Sequence, residues 1–186
     1  MLYTPAEDSY LLACVIKNFA RGKSVLDIGS GSGILAQTAI KAGAKSVLAV
    51  DSAPEAVCHI KNLGLSVKQS ALFSNISKNS KFNLIICNPP YLPLDKRESR
   101  ESRQNTTGGK KGDEIILRFL KQAQNHLTKR GIILLLLSSL TPQKRILALL
   151  GKLRYKHEVI ASKKFFFEEL FVWKVTNMSS STISFQ

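Results

Sequence analysis

Three short stretches of the chain carry residue types and spacings suited to chemistry. Asp27-Ile28-Gly29-Ser30-Gly31-Ser32-Gly33 sets three glycines at alternate positions directly after an apolar run. Glycines at such a place let the backbone approach a ligand closely and expose amide N–H groups at a helix start. The spacing is not the dinucleotide fingerprint GxGxxG, because Ile34 stands where its third glycine belongs and Gly33 comes one place early. That favours a ligand without a pyrophosphate, lying across the glycines. Asp51 comes 20 residues after Gly31, at the end of a second apolar run. A carboxylate there can accept hydrogen bonds from both hydroxyls of a ribose. Asn88-Pro89-Pro90-Tyr91 closes a third apolar run, Leu84-Ile85-Ile86-Cys87. Two prolines fix two φ angles and stiffen the bend. The Asn88 side-chain carbonyl and the Pro89 backbone carbonyl can then converge on one point, which suits an –NH2 group with two hydrogens to donate. Tyr91 adds an aromatic face for a planar group. Each stretch alone reads equally well as a turn; their order is what carries information.

Such stretches need a frame that brings them side by side. Residues 6–19 read as a helix: Thr4 can cap it, Pro5 fits its first position, and Glu7 and Asp8 suit its positive end. Leu11, Leu12, Val15, Ile16 and Phe19 form its apolar stripe. Strands are expected over 24–28, 46–50, 65–69, 82–87 and 131–137, with helices over 34–41, from Pro54 to before Gly64, over 113–129 and over 142–153. Two last strands, near 156–161 and 170–176, have no helix between them and are expected to pair antiparallel. This alternation predicts an α/β fold: a seven-stranded, mostly parallel sheet with an antiparallel C-terminal hairpin and helices on both faces. Ligands then bind outside the carboxyl ends of the strands, near the reversal of strand order. The segment 92–112 is polar, contains Gly108, Gly109 and Gly112, and reads as a long loop of the functional or disordered kind. A single domain is expected over 1–176, and a flexible Ser-rich tail over 177–186.

Composition bounds the remaining choices. The 186 residues are 44% hydrophobic and carry a net charge of +14, so the chain is a folded domain with a positive field rather than a disordered basic tail. The field suits an acidic partner such as a nucleic acid, unless the lysines are merely solvated. Cys14, Cys58 and Cys87 form no CxxC pair, and His59, His126 and His157 have no ligand spacing, so no metal is expected. The cysteines read as buried free thiols of a reducing compartment. The longest apolar run, 131–137, is too short to span a bilayer, and Glu7 and Asp8 stand where a secretory signal would be basic and apolar. A soluble, cytoplasmic protein with no membrane partner is expected. Trp173 and Phe165, Phe166 and Phe167 read as core or strand residues rather than a base-stacking platform. The stretch 144–164 has seven basic residues and one acid, and reads as a solvated face or an RNA surface. Lys96, Arg97, Arg100 and Arg103 alternate with Asp95, Glu98 and Glu101 in a self-paired pattern.

Taken together, the 27–33 segment, Asp51 and Asn88-Pro89-Pro90-Tyr91 resemble the motifs of class I S-adenosylmethionine-dependent methyltransferases acting on planar amino groups. Tyr3-Thr4-Pro5-Ala6-Glu7-Asp8-Ser9, followed by Leu11-Leu12, resembles the opening of the archaeal and eukaryotic branch of the HemK family. Gly108-Gly109 and the 166–172 segment are similar to that branch too, and the likeness covers roughly residues 2 to 176. The resemblance implies a Rossmann-like fold, S-adenosylmethionine as cofactor, and methylation of a glutamine side-chain amide in a class I peptide chain release factor. It implies that Gly29, Gly31 and Gly33 line the methyl donor, with Asp27 near its methionine part, over which Glu7, Asp8 and Ser9 close. Asp51 holds the ribose, Asn88 and Pro89 bind the acceptor amide, Pro90 stiffens the bend and Tyr91 packs beside it. Asn88 also adjoins the cofactor. The family's acidic residue after the third strand is missing: the aligned stretch is Ser70-Ala71-Leu72-Phe73, with Ala71 in its place and Ser70 or a backbone carbonyl as its substitute. The branch further implies a small zinc-binding activator protein, docking on the strand expected from Leu65 to Gln69. Two rival readings stand beside this one. An adenine N6-methyltransferase acting on RNA or DNA would use the same Asn-Pro-Pro-Tyr geometry on a flipped base, and a domain that had lost cofactor binding would keep only the fold.

Overall fold

The structure, a computed structural model, describes residues 4–94 and 106–178. Tyr3, the alternating charges over 95–103 and the tail beyond Met178 lie outside the described residues.

In chain order the elements are α1 (Glu7–Ile16), β1 (Ser24–Ile28), α2 (Ile34–Lys41), β2 (Ser46–Asp51), α3 (Pro54–Asn62), β3 (Val67–Gln69), β4 (Phe82–Cys87), α4 (Glu114–Ala123), a 3-10 turn (Gln124–His126), β5 (Leu127–Ser138), α5 (Gln143–Lys152), β6 (Tyr155–Lys164) and β7 (Glu169–Asn177). The seven strands lie in the order β3-β2-β1-β4-β5-β7-β6. From β3 to β5 all neighbours are parallel, and β7 pairs antiparallel with both β5 and β6. Strand order reverses between β1 and β4. There Ile28 lies beside Cys87, so the glycine segment and Asn88 leave the sheet as immediate neighbours.

The central strands are apolar at successive positions because both faces are covered. Leu84, Ile86, Leu134 and Leu136 pack with Leu12, Ile16 and Leu35 of α1 and α2. Ile85, Cys87, Ile133 and Leu135 pack on the other face with Ile116, Phe119 and Leu120 of α4 and with Ile146 and Leu150 of α5. A smaller cluster of Ala36, Ala49 and Ile60 seats α3. No helix among the described residues is long and apolar enough to cross a membrane.

Several boundaries differ from expectation for local reasons. The first helix starts at Glu7 with Ala6 at its N-cap and no side-chain cap, so Thr4 and Pro5 precede the cap rather than form it. The third strand begins at Val67, not Leu65. Gly64 adopts φ +74° and ends α3 in a Schellman turn, with Gly64 N–H on Lys61 O at 2.9 Å and Leu65 N–H on Ile60 O at 3.3 Å. Leu65 thus serves the helix end. The helix expected over 113–129 stops at Ala123, and 127–130 open a longer β5. Cys14 and Cys58 are exposed, not buried. Trp173 is core, 2% exposed, but Phe166 and Phe167, at 92% and 85% exposed, stand out from the β6–β7 turn.

Candidate active site

The carboxyl ends of β1, β2, β3 and β4 border a cleft of about 740 Å³, within the roughly 300–1,000 Å³ of typical small-molecule sites. Its walls include Asp8 and Ser9 of α1, Gly29 and Gly31, Asp51, Ser70 to Leu72, and Asn88 to Leu92.

One wall is the turn from β1 into α2. Gly29, Gly31 and Gly33 have φ of +74°, +51° and +77°, a region that side-chain-bearing residues rarely occupy. Gly33 is also the N-cap of α2, and a Cβ there would lie 3.4 Å from Ile60. It therefore shapes the turn from behind and does not border the cleft. Asp51 braces this turn. Its Oδ2 accepts the Gly31 N–H at 2.8 Å, and its Oδ1 accepts the Ala53 N–H at 2.9 Å. Each carboxylate oxygen can accept a further hydrogen bond, so ribose hydroxyls can be received by the group that already holds the glycine turn.

Asp27 is fully buried beneath the turn and is not part of the cleft wall. The Ser30 hydroxyl donates to its Oδ2. Burial pushes the Asp27 carboxyl up to about 7; the Ser30 hydrogen bond opposes this and the Asp51 carboxylate adds to it. Glu7 likewise stands outside the cleft, in an ion pair with Lys163 of β6.

The opposite wall is the Asn88–Leu92 segment. Asn88 Nδ2 donates to Asp8 Oδ2 at 3.0 Å. Its Oδ1 is buried, with no hydrogen-bond partner among the described residues. The segment is flanked by backbone that only glycine permits so close. Leu92 N–H donates to Thr106 O and Gly108 N–H to Leu92 O, both at 2.9 Å. A Cβ on Gly108 would come within 2.2 Å of Gly112 O and 2.6 Å of Pro90 O, and one on Gly112 within 2.8 Å of Tyr91 O. Gly108, whose pair with Gly109 the sequence likens to the HemK branch, and Gly112, which it marks only as a loop residue, therefore seat the Asn88–Leu92 wall. Cys87 lies between the walls, but burial pushes its thiol well above its ordinary range, so it is no thiolate nucleophile.

At the third strand end Ser70 is 3% exposed, and its hydroxyl is held within its own turn, donating to Leu72 O at 3.0 Å and accepting the Asn75 N–H at 2.9 Å. Ala71 is exposed at the cleft, and Leu72 adopts φ +54°. Residue-by-residue reading missed Arg118 and Gln122, which face the cleft from α4 together with Ile115. Their spacing is helical, so the period of α4 is the signal that would have found them. Gln122 Oε1 accepts the Phe73 N–H at 3.3 Å. Among the described residues no group of His, Cys, Asp or Glu is placed to hold a metal ion.

The methyltransferase small domain family matches residues 7–167. A protein of Methanocaldococcus jannaschii, provisionally named protein N5-glutamine methyltransferase, is 40% identical, over 92% of this chain and 89% of its own. The mouse methyltransferase HEMK2 is 28% identical, over 72% of this chain and 70% of its own. The bacterial relatives are named release factor glutamine methyltransferase or ribosomal protein L11 methyltransferase, and the chain spans about half of their length or less. Among solved structures, a chain of the Mtq2–Trm112 complex of E. cuniculi, responsible for methylation of the eRF1 translation termination factor, shares the fold with a TM-score of 0.77 at 24% identity. That match covers 95% of this chain and 99% of the other.

Proposed function

This chain belongs to the methyltransferase small domain family, in the HemK group of class I methyltransferases, and from that premise we propose that it transfers a methyl group from S-adenosylmethionine to the side-chain amide of a glutamine in a class I translation termination factor. The observation that carries the reading is the β1/β4 seam. A glycine turn shaped for close approach and a rigid segment, whose buried amide oxygen has no hydrogen-bond partner among the described residues, border one cleft from adjacent strand ends.

The residues fit S-adenosylmethionine. Gly29 and Gly31 leave room along one wall, Asp51 offers lone pairs to ribose hydroxyls, and Ser9 with Asp8 covers the methionine end. The missing acid at Ala71 leaves the adenine amino group to backbone carbonyls of the 70–72 turn. Bound there, the cofactor supplies an electrophilic methyl group. The chain's own work is orientation and exclusion of water. Asn88 Oδ1 and the Pro89 carbonyl accept the two amide N–H groups of the substrate, fix its nitrogen and ease the positive charge that grows on it. Tyr91 packs beside the amide. No strong general base is required before transfer, while the nitrogen keeps its protons; once methylated it is cationic and acidic enough to release one of them to solvent.

The same proposal extends to a partner. β3 is the outer strand at its edge of the sheet. Ala49 N–H donates to Ser66 O and Ser70 N–H to Asp51 O, so Ser66 and Ser70 turn these backbone groups toward β2. By the alternation of a parallel ladder, Val67 and Gln69 turn theirs outward. Such an edge suits β-augmentation by a small zinc-binding activator protein. Work on a termination factor also implies a cytoplasmic site of action.

The test is incubation with isotopically labelled S-adenosylmethionine, a class I termination factor and total RNA, followed by mass spectrometry. Label on a glutamine of the factor supports the proposal. Label on adenine would replace it with the nucleic-acid reading, which the +14 charge favours.

A further inference from the structure

Asp8 lies 80 positions before Asn88 in sequence, yet its Oδ2 receives the Asn88 side-chain NH2 at 3.0 Å. Asp8 is itself 6% exposed, and its Oδ1 accepts the Ser9 N–H at 2.6 Å. The consequence for Asn88 is orientational. A primary amide has two chemically opposite ends, and a half-turn about its last bond exchanges donor for acceptor. A carboxylate repels the carbonyl end and attracts the NH2 end. With Asp8 in place the NH2 faces α1, and the carbonyl oxygen, buried in the wall that Asn88 contributes to the cleft, has no hydrogen-bond partner among the described residues. Without it, the two orientations are much closer in energy, and in the reversed one an N–H donor confronts the N–H groups of the acceptor.

We propose that Asp8 is a positioning residue: it fixes the rotational state of the Asn88 amide so that an acceptor oxygen, and not a donor, meets the substrate nitrogen. The proposal rests on the reading that Asn88 receives an –NH2 group, and it assigns Asp8 a role toward the acceptor in addition to covering the cofactor.

Two measurements test it. The first is a double-mutant cycle under saturating S-adenosylmethionine. Asp8→Ala should lower kcat by about ten- to a hundredfold, the scale of a small misplacement at a reacting centre; because Asp8 also lines the cofactor end of the cleft, cofactor affinity is measured by calorimetry and saturation is kept in every variant. Asp8→Asn keeps a carbonyl acceptor for the Asn88 NH2 and should recover most of the rate. In an Asn88→Ala background, Asp8→Ala should slow transfer no further, because its effect runs through Asn88. Additive losses, or a loss of cofactor affinity that accounts for the whole effect, would overturn the proposal. The second measurement needs no acceptor. The Asn88 side-chain NH2 resonance, assigned by its disappearance in Asn88→Ala, should be protected from exchange in the parent protein, lose that protection in Asp8→Ala and keep it in Asp8→Asn. Unchanged protection in Asp8→Ala refutes the contact. Absence of label on any termination-factor glutamine, with the resonance behaving as expected, refutes the glutamine reading instead.

Discussion

On the proposed reading, Asn88 serves the acceptor while the residues of the facing wall serve the cofactor. Asn88→Ala should reduce methyl transfer by about 10²–10³, by analogy with the loss of one positioned hydrogen-bonding group. Cofactor affinity should stay nearly intact, because Gly29, Gly31 and Asp51 form the other wall. Single-turnover rates and calorimetry on one preparation check both halves of this expectation. Asn88→Asp should be slow as well, since it sets a second carboxyl against Asp8. Asp27 makes a different prediction. Its carboxyl is raised to about 7 in the folded protein, against roughly 3.9 in an unfolded chain. Between those values the folded state holds the extra proton, so this group's contribution is complete below about pH 4 and is lost as pH rises toward 7. Asp27→Asn, neutral at every pH, should flatten that part of the stability profile, as urea unfolding at pH 5 and pH 8 would reveal. Residue types were legible where chemistry demands one type at one place, as at Gly29, Asp51 and Asn88. The Asp8–Asn88 contact was not, because pairing across 80 positions depends on how α1 settles on the sheet.

Elements position these residues through close backbone contact as much as through side chains. Gly108 lies against Pro90 and Gly112 with no space for a methyl group. Gly108→Ala should therefore destabilise the protein by about 1–3 kcal/mol, as overpacking does, and lower activity beyond that by displacing Pro90. Thermal unfolding and kcat measured together separate the two effects. At the sheet edge, Val67→Pro removes an outward N–H without breaking the β2 ladder, so it should weaken capture of the proposed activator protein and leave the fold intact. Pull-down titration with circular dichroism of the free variant checks this; equal binding would place the partner elsewhere. Strand and helix order followed from apolar runs and turn residues, but the ends did not. At Leu65 a strand-like residue is claimed by the closing turn of α3. Beyond Ala123 the apolar Leu127 extends the apparent helical run, while the chain has already turned through Gln124–His126 into β5.

At the scale of the molecule, a ligand that binds only the folded state raises stability by about 2.7 kcal/mol at a hundred times its Kd. For a chain of this size that is roughly 5–10 °C in Tm. S-adenosylmethionine should produce such a shift, followed by scanning calorimetry, and a flat response would favour the rival in which only the fold persists. The whole topology was legible because alternating elements leave few ways to wind a parallel sheet; the exposure of Phe166 and Phe167 was not, since apolar residues at a hairpin tip look the same in sequence as apolar residues in a strand. The reversal of strand order at the β1/β4 seam also cuts the cleft along the chain. One wall draws on 28–32, 34–35, 51–56 and 70–72, and the other on 87–92, 106 and the face of α4. The two walls are thus separately heritable, contiguous stretches of coding sequence. A lineage can vary the cleft-lining residues after position 87 for a new acceptor preference and keep those of the other wall unaltered, provided the residue at position 8 is re-matched to whatever replaces Asn88.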